Sequence, residues 1–188
     1  MMMMRILIPA LLAVMAAPAQ SAAPPRKAPA AAPKPLPAQV RVQLLTSAGP
    51  ILLELEREKA PLTVANFLKY VDAGRLTGAE IYRAMKYGPQ EESRTGLIQG
   101  KARWDGRNII PPVKHEPTTQ TGLLHVDGTI SMARGALDTA TSDFFIVLGA
   151  MPALDAQPMQ GGDNQGFAAF GRVVEGMDIV RKIHAASI

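Results

Sequence analysis

The chain has 188 residues, no cysteine and a formal net charge of +4 at pH 7. Without cysteine, a disulfide framework, a thiol nucleophile and a thiolate metal site are excluded. Four of the 20 basic residues and none of the 16 acidic residues lie before position 40, so the remainder of the chain is formally neutral. The basic balance is therefore poor evidence for nucleic-acid binding, and we expect no nucleic-acid partner.

The first 19 residues are typical of a secretory signal peptide. Residues 1–5 form a short basic start, residues 6–17 form an apolar run, and Ala17-Pro18-Ala19 fits a small-x-small cleavage site. The run is too short for a comfortable membrane span, so we predict cleavage and no stable span afterwards. The alternatives are later cleavage near residues 21–23 and an uncleaved anchor.

Residues 20–39 consist largely of Ala, Pro and Lys and predict a disordered linker ahead of a domain at 40–188. The domain opens with an alternating pattern at 40–55 around a Ser-Ala-Gly-Pro turn, which predicts a hairpin. Pro61 begins a predicted helix and Gly74 ends it as a left-handed cap. Its apolar stripe comprises Val64, Phe67, Leu68 and Val71.

Beyond this helix the patterns indicate strands, long loops and a second helix from Met177 to about His184. The central stretch contains two predicted strands, 129–134 and 144–148, separated by a small, polar loop that is longer than a tight hairpin requires. Neighbouring strand residues point to opposite faces, so Phe144 and Phe145 cannot both fill one core. The whole pattern favours a mainly β, closed antiparallel barrel with two α-helices over its ends.

Four ordered segments resemble the cyclophilin-type peptidyl-prolyl isomerases. They are SAGPILLELEREKAPLTVANFLKYVDAG at 47–74, IYRAM with GLIQG within 81–100, SMAR with TSDFFI within 131–146, and AFGRVVEGMDIVRKI at 169–183. The PPVKHE segment and the TATS loop are most similar to the bacterial exported branch. The resemblance implies an eight-stranded cyclophilin barrel and a peptidyl-prolyl cis-trans isomerase without a cofactor, located in the periplasm of a Gram-negative source.

Rotation about the bond before proline has an uncatalysed barrier of roughly 20 kcal/mol and requires neither a nucleophile nor a metal. It requires an apolar slot for the proline ring and a fixed donor for the twisted amide. By resemblance, Arg83 is the catalytic donor, and Gln99 binds the substrate backbone and helps to position the arginine. The resemblance also implies a set of pocket and groove residues: Leu97, Met132, Ala133, Arg134, Asp143, Phe145, Leu154 and Phe167.

This chain departs from the family pattern at several of these positions. The departures are Gly96 for a phenylalanine, Ala153 for a tryptophan or phenylalanine, Phe167 for a histidine, Asp143 for a glutamine and Arg134 for an asparagine. Asp143 and Arg134 suggest an ion pair that orients the groove. In addition, Arg83 and Gln99 are about twice as far apart in sequence as is usual, and the extra residues 86–95 predict an exposed loop.

The expected partners are proline-containing segments of unfolded or flexible exported proteins, and we expect a monomer. His115, His125 and His184 lack metal-ligand spacing, so we predict structural histidines and no metal site. Two other functions remain open. The pocket departures fit a weakly catalytic module that binds proline-containing segments, and the Pro-rich tail fits a structural barrel whose tail makes the interactions.

Overall fold

The computed structural model describes residues 36–87, 95–103, 109–157 and 163–186, and the compact unit begins at Leu36. The strands are β1 (Gln39–Thr46), β2 (Gly49–Glu56), β3 (Glu80–Tyr87), β4 (Thr95–Lys101), β5 (Thr129–Met132), β6 (Phe144–Leu148) and β7 (Ala168–Glu175). The helices are α1 (Pro61–Asp72), the single-turn α2 (Thr118–Thr121) and α3 (Met177–Ala185), with a short 3₁₀ helix at Pro152–Leu154. No helix in these ranges has the length and apolar character needed to cross a membrane.

The strands form one antiparallel sheet in the order β1-β2-β7-β5-β6-β4-β3. The mainly β architecture is as expected, but the prediction of a closed barrel of eight strands is wrong. Among the described residues the sheet has seven strands, and its edges β1 and β3 are not paired with each other. Both edges instead line a cavity of about 910 Å³, together with Phe144 and the end of α3. Within the described ranges no further strand bridges this gap.

The first hairpin and the first helix agree with the sequence pattern. β1 pairs with β2 from Gln39↔Glu56 to Thr46↔Gly49, and α1 begins at Pro61. Gly74 follows the helix with a φ of +64°, a conformation that costs glycine little because it has no Cβ. Local residue chemistry is therefore sufficient to predict these boundaries.

A buried carboxylate from a distant loop stabilises the start of α1. Glu116 accepts hydrogen bonds from the N–H groups of Leu62 at 3.1 Å and Thr63 at 2.8 Å, and from the Thr63 hydroxyl at 2.7 Å. The first N–H groups of a helix have no partner within it, and negative charge is favourable at this end. Glu116 thus anchors the segment before α2 to the helix.

The main core lies on one face of the sheet and is covered by α1 and α3. Its large side chains include Phe67, Phe144 and Phe170, and the Phe67 ring meets Phe144 edge-on at 5.7 Å. In α3, Val180 is buried, and the His184 ring hydrogen-bonds the Met85 carbonyl at 2.8 Å. That bond ties α3 to β3, the edge strand that carries Arg83.

Candidate active site

A second, smaller apolar cluster occupies the opposite face of β4 and β6. Its buried members are Leu97, Phe145 and Val147, whereas the alternate residues Ile98, Phe144 and Ile146 belong to the main core. This confirms the prediction that Phe144 and Phe145 point in opposite directions. Partly exposed side chains pack around this second cluster: Met85, Ala133, Met151, Leu154 and Phe167.

Strand register places polar residues directly beside this cluster. Arg83 pairs with Gln99, and Gln99 pairs with Phe145, so the three lie in one row across β3, β4 and β6. The neighbouring row on the same face is apolar and consists of Met85, Leu97 and Val147. Arg83 is exposed, and its guanidinium forms no hydrogen bond or ion pair with another described residue. An exposed cationic donor therefore borders an apolar surface.

Phe145 is supported from behind by a buried histidine. The rings of His125 and Phe145 are stacked, with centroids 5.8 Å apart and planes inclined by 15°. Burial lowers the pKa of His125, although the hydrogen bond to Asp155 opposes this. The neutral ring fits its contacts if Nδ1–H donates to Asp155 at 2.6 Å and Nε2 accepts from the Ser131 hydroxyl at 2.9 Å. His125 is thus structural, as expected, but it also fixes a ring of the site.

Phe167 forms another wall of the second cluster. It meets Phe145 edge-on at 5.4 Å, and the Arg134 guanidinium lies 5.6 Å from its ring centre. Arg134 forms five hydrogen bonds, to the carbonyls of Gly135 and Gly166 and to both carboxylate oxygens of Asp163 at 2.6 and 2.9 Å. Arg134 therefore clamps the segment that leads into Phe167.

These contacts overturn the suggested ion pair between Arg134 and Asp143. The partner of Arg134 is Asp163, and the guanidinium holds the pKa of that carboxyl below its usual range. Asp143 instead accepts a hydrogen bond from the Tyr82 hydroxyl at 2.9 Å, and its backbone carbonyl accepts the Ala133 N–H at 2.9 Å. With its donors occupied in this way, the Arg134 guanidinium packs against the Phe167 ring.

Met132 does not belong to the second cluster. It pairs with Phe144 and Ala168, whose side chains lie in the main core, and it is 1% exposed within that core. Its predicted place in the proline pocket is corrected accordingly, because strand alternation turns its side chain away from Phe145. Leu97, Ala133, Leu154 and Phe167 do lie in or against the second cluster. Their contacts with substrate stay predictions.

Gly96 explains one departure from the family pattern. A Cβ at this position would overlap the Met85 carbonyl oxygen and the His184 ring, so the site has no space for a larger residue.

The ladder between β3 and β4 extends into the predicted loop, through the pairs Lys86↔Gly96 and Tyr87↔Thr95. The predicted loop at 86–95 is therefore wrong at both ends, and residues 88–94 lie outside the described residues.

Sequence reasoning did not identify four side chains around the site: Met85, Met151, Tyr82 and Asp163. Met85 could have been found, because it follows Arg83 by two positions in a strand and must share its face. Asp163 and Tyr82 could not, since their partners Arg134 and Asp143 are 29 and 61 positions away in sequence.

Comparison with known proteins identifies the family. Residues 41–188 match the family described as "Cyclophilin type peptidyl-prolyl cis-trans isomerase/CLD". The chain is 40% identical over 143 residues to peptidyl-prolyl cis-trans isomerase A of Dickeya dadantii, covering 76% of this chain and 70% of that protein. It is 34% identical over 146 residues to peptidyl-prolyl cis-trans isomerase cyp18 of Streptomyces antibioticus, covering 76% and 81%.

Solved structures show the same fold. A cyclophilin type isomerase of Cryptosporidium parvum superposes with a TM-score of 0.59 at 18% identity, covering 79% of this chain and 86% of that one. A second crystal structure of that protein, in the presence of the dipeptide Ala-Pro, gives a TM-score of 0.58. The chain therefore belongs to the cyclophilin-type family, and it is a peptidyl-prolyl cis-trans isomerase.

Proposed function

We propose that this isomerase is exported, acts on Xaa-Pro bonds of unfolded or flexible exported proteins, and uses Arg83 as its donor. The observation that carries the mechanism is the row Arg83–Gln99–Phe145, in which an exposed guanidinium stands one strand away from Gln99 and two from a buried aromatic ring. A cationic donor and an apolar surface thus lie in one row, and these are the two features that rotation of an Xaa-Pro bond requires.

The reaction follows from this arrangement. The substrate's proline ring packs on the cluster of Phe145, Leu97 and Val147, and Gln99 binds the adjoining backbone. Twisting the amide breaks its resonance and returns a lone pair to the nitrogen. The Arg83 guanidinium presents several rigid N–H donors and donates to that twisted amide. Catalysis results because the twisted state is bound better than either planar isomer.

Removal of the donor tests this mechanism. Full-chain Arg83→Ala should slow cis/trans exchange of a short Xaa-Pro peptide by about 10²- to 10³-fold, the range for one preorganised donor, while peptide-induced shifts persist. NMR exchange spectroscopy reports binding and turnover together. Arg57→Ala is the matched control, because Arg57 donates to the Pro37 carbonyl far from the second cluster. A folded Arg83→Ala protein with wild-type exchange would remove Arg83 from the mechanism.

The leader sequence supports export, as does the similarity of the PPVKHE and TATS segments to the exported branch. Expression of the full chain in a Gram-negative host, followed by mass analysis of the periplasmic fraction, tests this proposal. We expect a product shortened near Ala19. An intact chain in the cytoplasm would contradict export, and an intact chain in the membrane fraction would favour the uncleaved anchor.

A second candidate function is a weakly catalytic module that holds proline-containing segments. It is favoured by Gly96, where no larger side chain fits, and by Ala153, which stands where an aromatic residue is usual. Peptide shifts without accelerated exchange in the wild type would support this function. Fast exchange that collapses in Arg83→Ala would exclude it.

A further inference from the structure

Tyr82 occupies a β-bulge immediately before Arg83. Ile81 pairs with Gly100 and Arg83 pairs with Gln99, so Tyr82 is an extra residue with no counterpart on β4. In a regular strand, consecutive side chains would point to opposite faces. Here both Tyr82 and Arg83 are exposed, and a bulge is a known means of redirecting a side chain beside an active site. The phenol and the guanidinium therefore emerge side by side.

The Tyr82 side chain reaches across a whole strand. Its hydroxyl donates to Asp143 Oδ1 at 2.9 Å, although β4 lies between β3 and the start of β6. Adjacent strands are about 4.8 Å apart, so the Tyr82 side chain extends across two strand spacings, about 10 Å of sheet, to reach Asp143. The ammonium group of Lys101 lies over the Tyr82 ring, with its Nζ 4.6 Å from the ring centre.

The bridge adjoins both residues proposed to meet the substrate. Burial and the hydrogen bond to Asp143 raise the pKa of Tyr82 to about 12, while the Arg83 charge and the nearby Gln99 side chain act in the opposite direction. The phenol consequently stays protonated and donates to Asp143 at every pH at which the enzyme is assayed. The phenol is also close enough to Gln99 and Arg83 for each of them to affect its pKa.

The other end of the bridge is fixed as well. The Asp143 backbone carbonyl accepts the Ala133 N–H at 2.9 Å, which joins the end of β5 to the start of β6. Backbone pairing places the half-buried Gln99 between Arg83 and Phe145, and the Tyr82–Asp143 bond crosses β4 beside it. These neighbours limit the space in which its amide side chain can rotate.

We propose that Tyr82 is a positioning residue for the isomerase reaction, whose hydroxyl bridge to Asp143 holds Gln99 and Arg83 ready for the substrate amide. This inference rests on the roles proposed above for Arg83 and Gln99. A purely structural tyrosine would instead contribute to stability, through its ring and its contact with Lys101. Its hydroxyl would then not affect turnover.

The first test removes only the hydroxyl. In the full chain, Tyr82→Phe keeps the ring and should lower the exchange rate constant of a bound Xaa-Pro peptide by about 3- to 10-fold, the size expected for one hydrogen bond. Peptide affinity and Tm should stay at wild-type values. Thr46→Val, which likewise removes one hydroxyl but in the β1–β2 hairpin, where Thr46 donates to the Gly49 carbonyl, is the control and should leave the exchange rate constant unchanged. A wild-type exchange rate in Tyr82→Phe would overturn the proposal.

A double-variant cycle tests whether the hydroxyl acts through its partner. If Tyr82 and Asp143 work as one unit, Tyr82→Phe combined with Asp143→Asn should lose no more exchange rate than the worse single variant. A loss equal to the product of the two single losses would mean that the residues act independently. It would refute the bridge as the cause of the slower exchange in Tyr82→Phe.

The Gln99 side-chain amide gives a readout that does not depend on turnover. In the wild type its two NH₂ signals should lie away from the positions of a freely rotating glutamine side chain, and in Tyr82→Phe they should broaden or move toward those positions. Unchanged signals would overturn the positioning role. If the wild type failed to accelerate exchange, the isomerase mechanism would fail, whereas these signals would still decide whether Tyr82 orders Gln99.

Discussion

Phe144 and Phe145 are adjacent in sequence and equally buried, at 3% exposure each, yet they belong to different parts of the molecule. Phe144 packs against Phe67 in the main core, whereas Phe145 is stacked on His125 and borders the exposed Arg83–Gln99 row. The extent of burial therefore does not distinguish a core residue from a site residue. The face of the strand and the identity of the neighbours do.

The two faces are also held together differently. The main core consists of aliphatic and aromatic side chains, and it is stabilised by burial, which has little directional preference. The second cluster is small and is surrounded by directional bonds, including those of His125 with Asp155 and Arg134 with Asp163. Such bonds fix the orientation of individual rings, which is what a binding surface requires.

The largest expected effect comes from truncating the two phenylalanines separately. Phe144→Ala should lower the free energy of unfolding by about 3–5 kcal/mol, the range for a large side chain removed from a core. Phe145→Ala should cost less, because its cluster is smaller and borders solvent, but it should abolish most peptide binding. Denaturant unfolding and NMR titration measure the two properties. An equal loss of stability would remove the distinction between the faces.

A smaller effect is expected from releasing the clamp on Phe167. Asp163→Asn removes the ion pair with Arg134 and should weaken peptide binding by about 3- to 10-fold through a less ordered ring. The free energy of unfolding should change little, since Asp163 is 47% exposed. Asp72→Asn, an exposed charge on α1, is the matched control in the same titration. Wild-type affinity in Asp163→Asn would mean that the clamp does not shape the pocket.

The smallest effect concerns pH. Burial lowers the folded-state pKa of His125, so the unfolded chain binds the proton more readily than the folded protein does. The resulting stability is present above the unfolded value of about 6.5 and is lost as the pH falls toward the folded pKa. We expect Tm to decrease as the pH is lowered below about 6.5. The decrease should be smaller in His125→Gln, and an identical decrease would assign it to other groups.

Much of the local structure could be predicted from the sequence. The hairpin of β1 and β2, the start of α1 at Pro61, the left-handed Gly74, the span of α3 and the opposed phenylalanines all agree with the structure. Each depends on the geometry of a few consecutive residues. The family resemblance assigned Arg83, Gln99 and Phe145 to a single site, and strand register places them in one row.

The incorrect predictions all required knowledge of distant partners. The pattern of a strand does not indicate whether two sheet edges pair with each other. The sequence therefore predicted a closed barrel of eight strands, whereas the sheet is open and has a cavity between β1 and β3. Met132 was assigned to the wrong face because the sequence does not show which residues of β6 and β7 pair with it. Opposite charges suggested Arg134 and Asp143, but spatial proximity selected Asp163 for one and Tyr82 for the other.

The sequence by itself determined the first hairpin, the start of α1, the span of α3 and the opposed directions of Phe144 and Phe145, because these follow from residue chemistry and spacing over a few positions. Its resemblance to the family gave the class of protein and proposed Arg83 as the donor. Only the tertiary structure decided which face each strand turns to the core, which charge pairs with which, and that a bulge places Tyr82 beside Arg83. Those choices depend on contacts between residues tens of positions apart, and such contacts form only when the strands are assembled into the sheet.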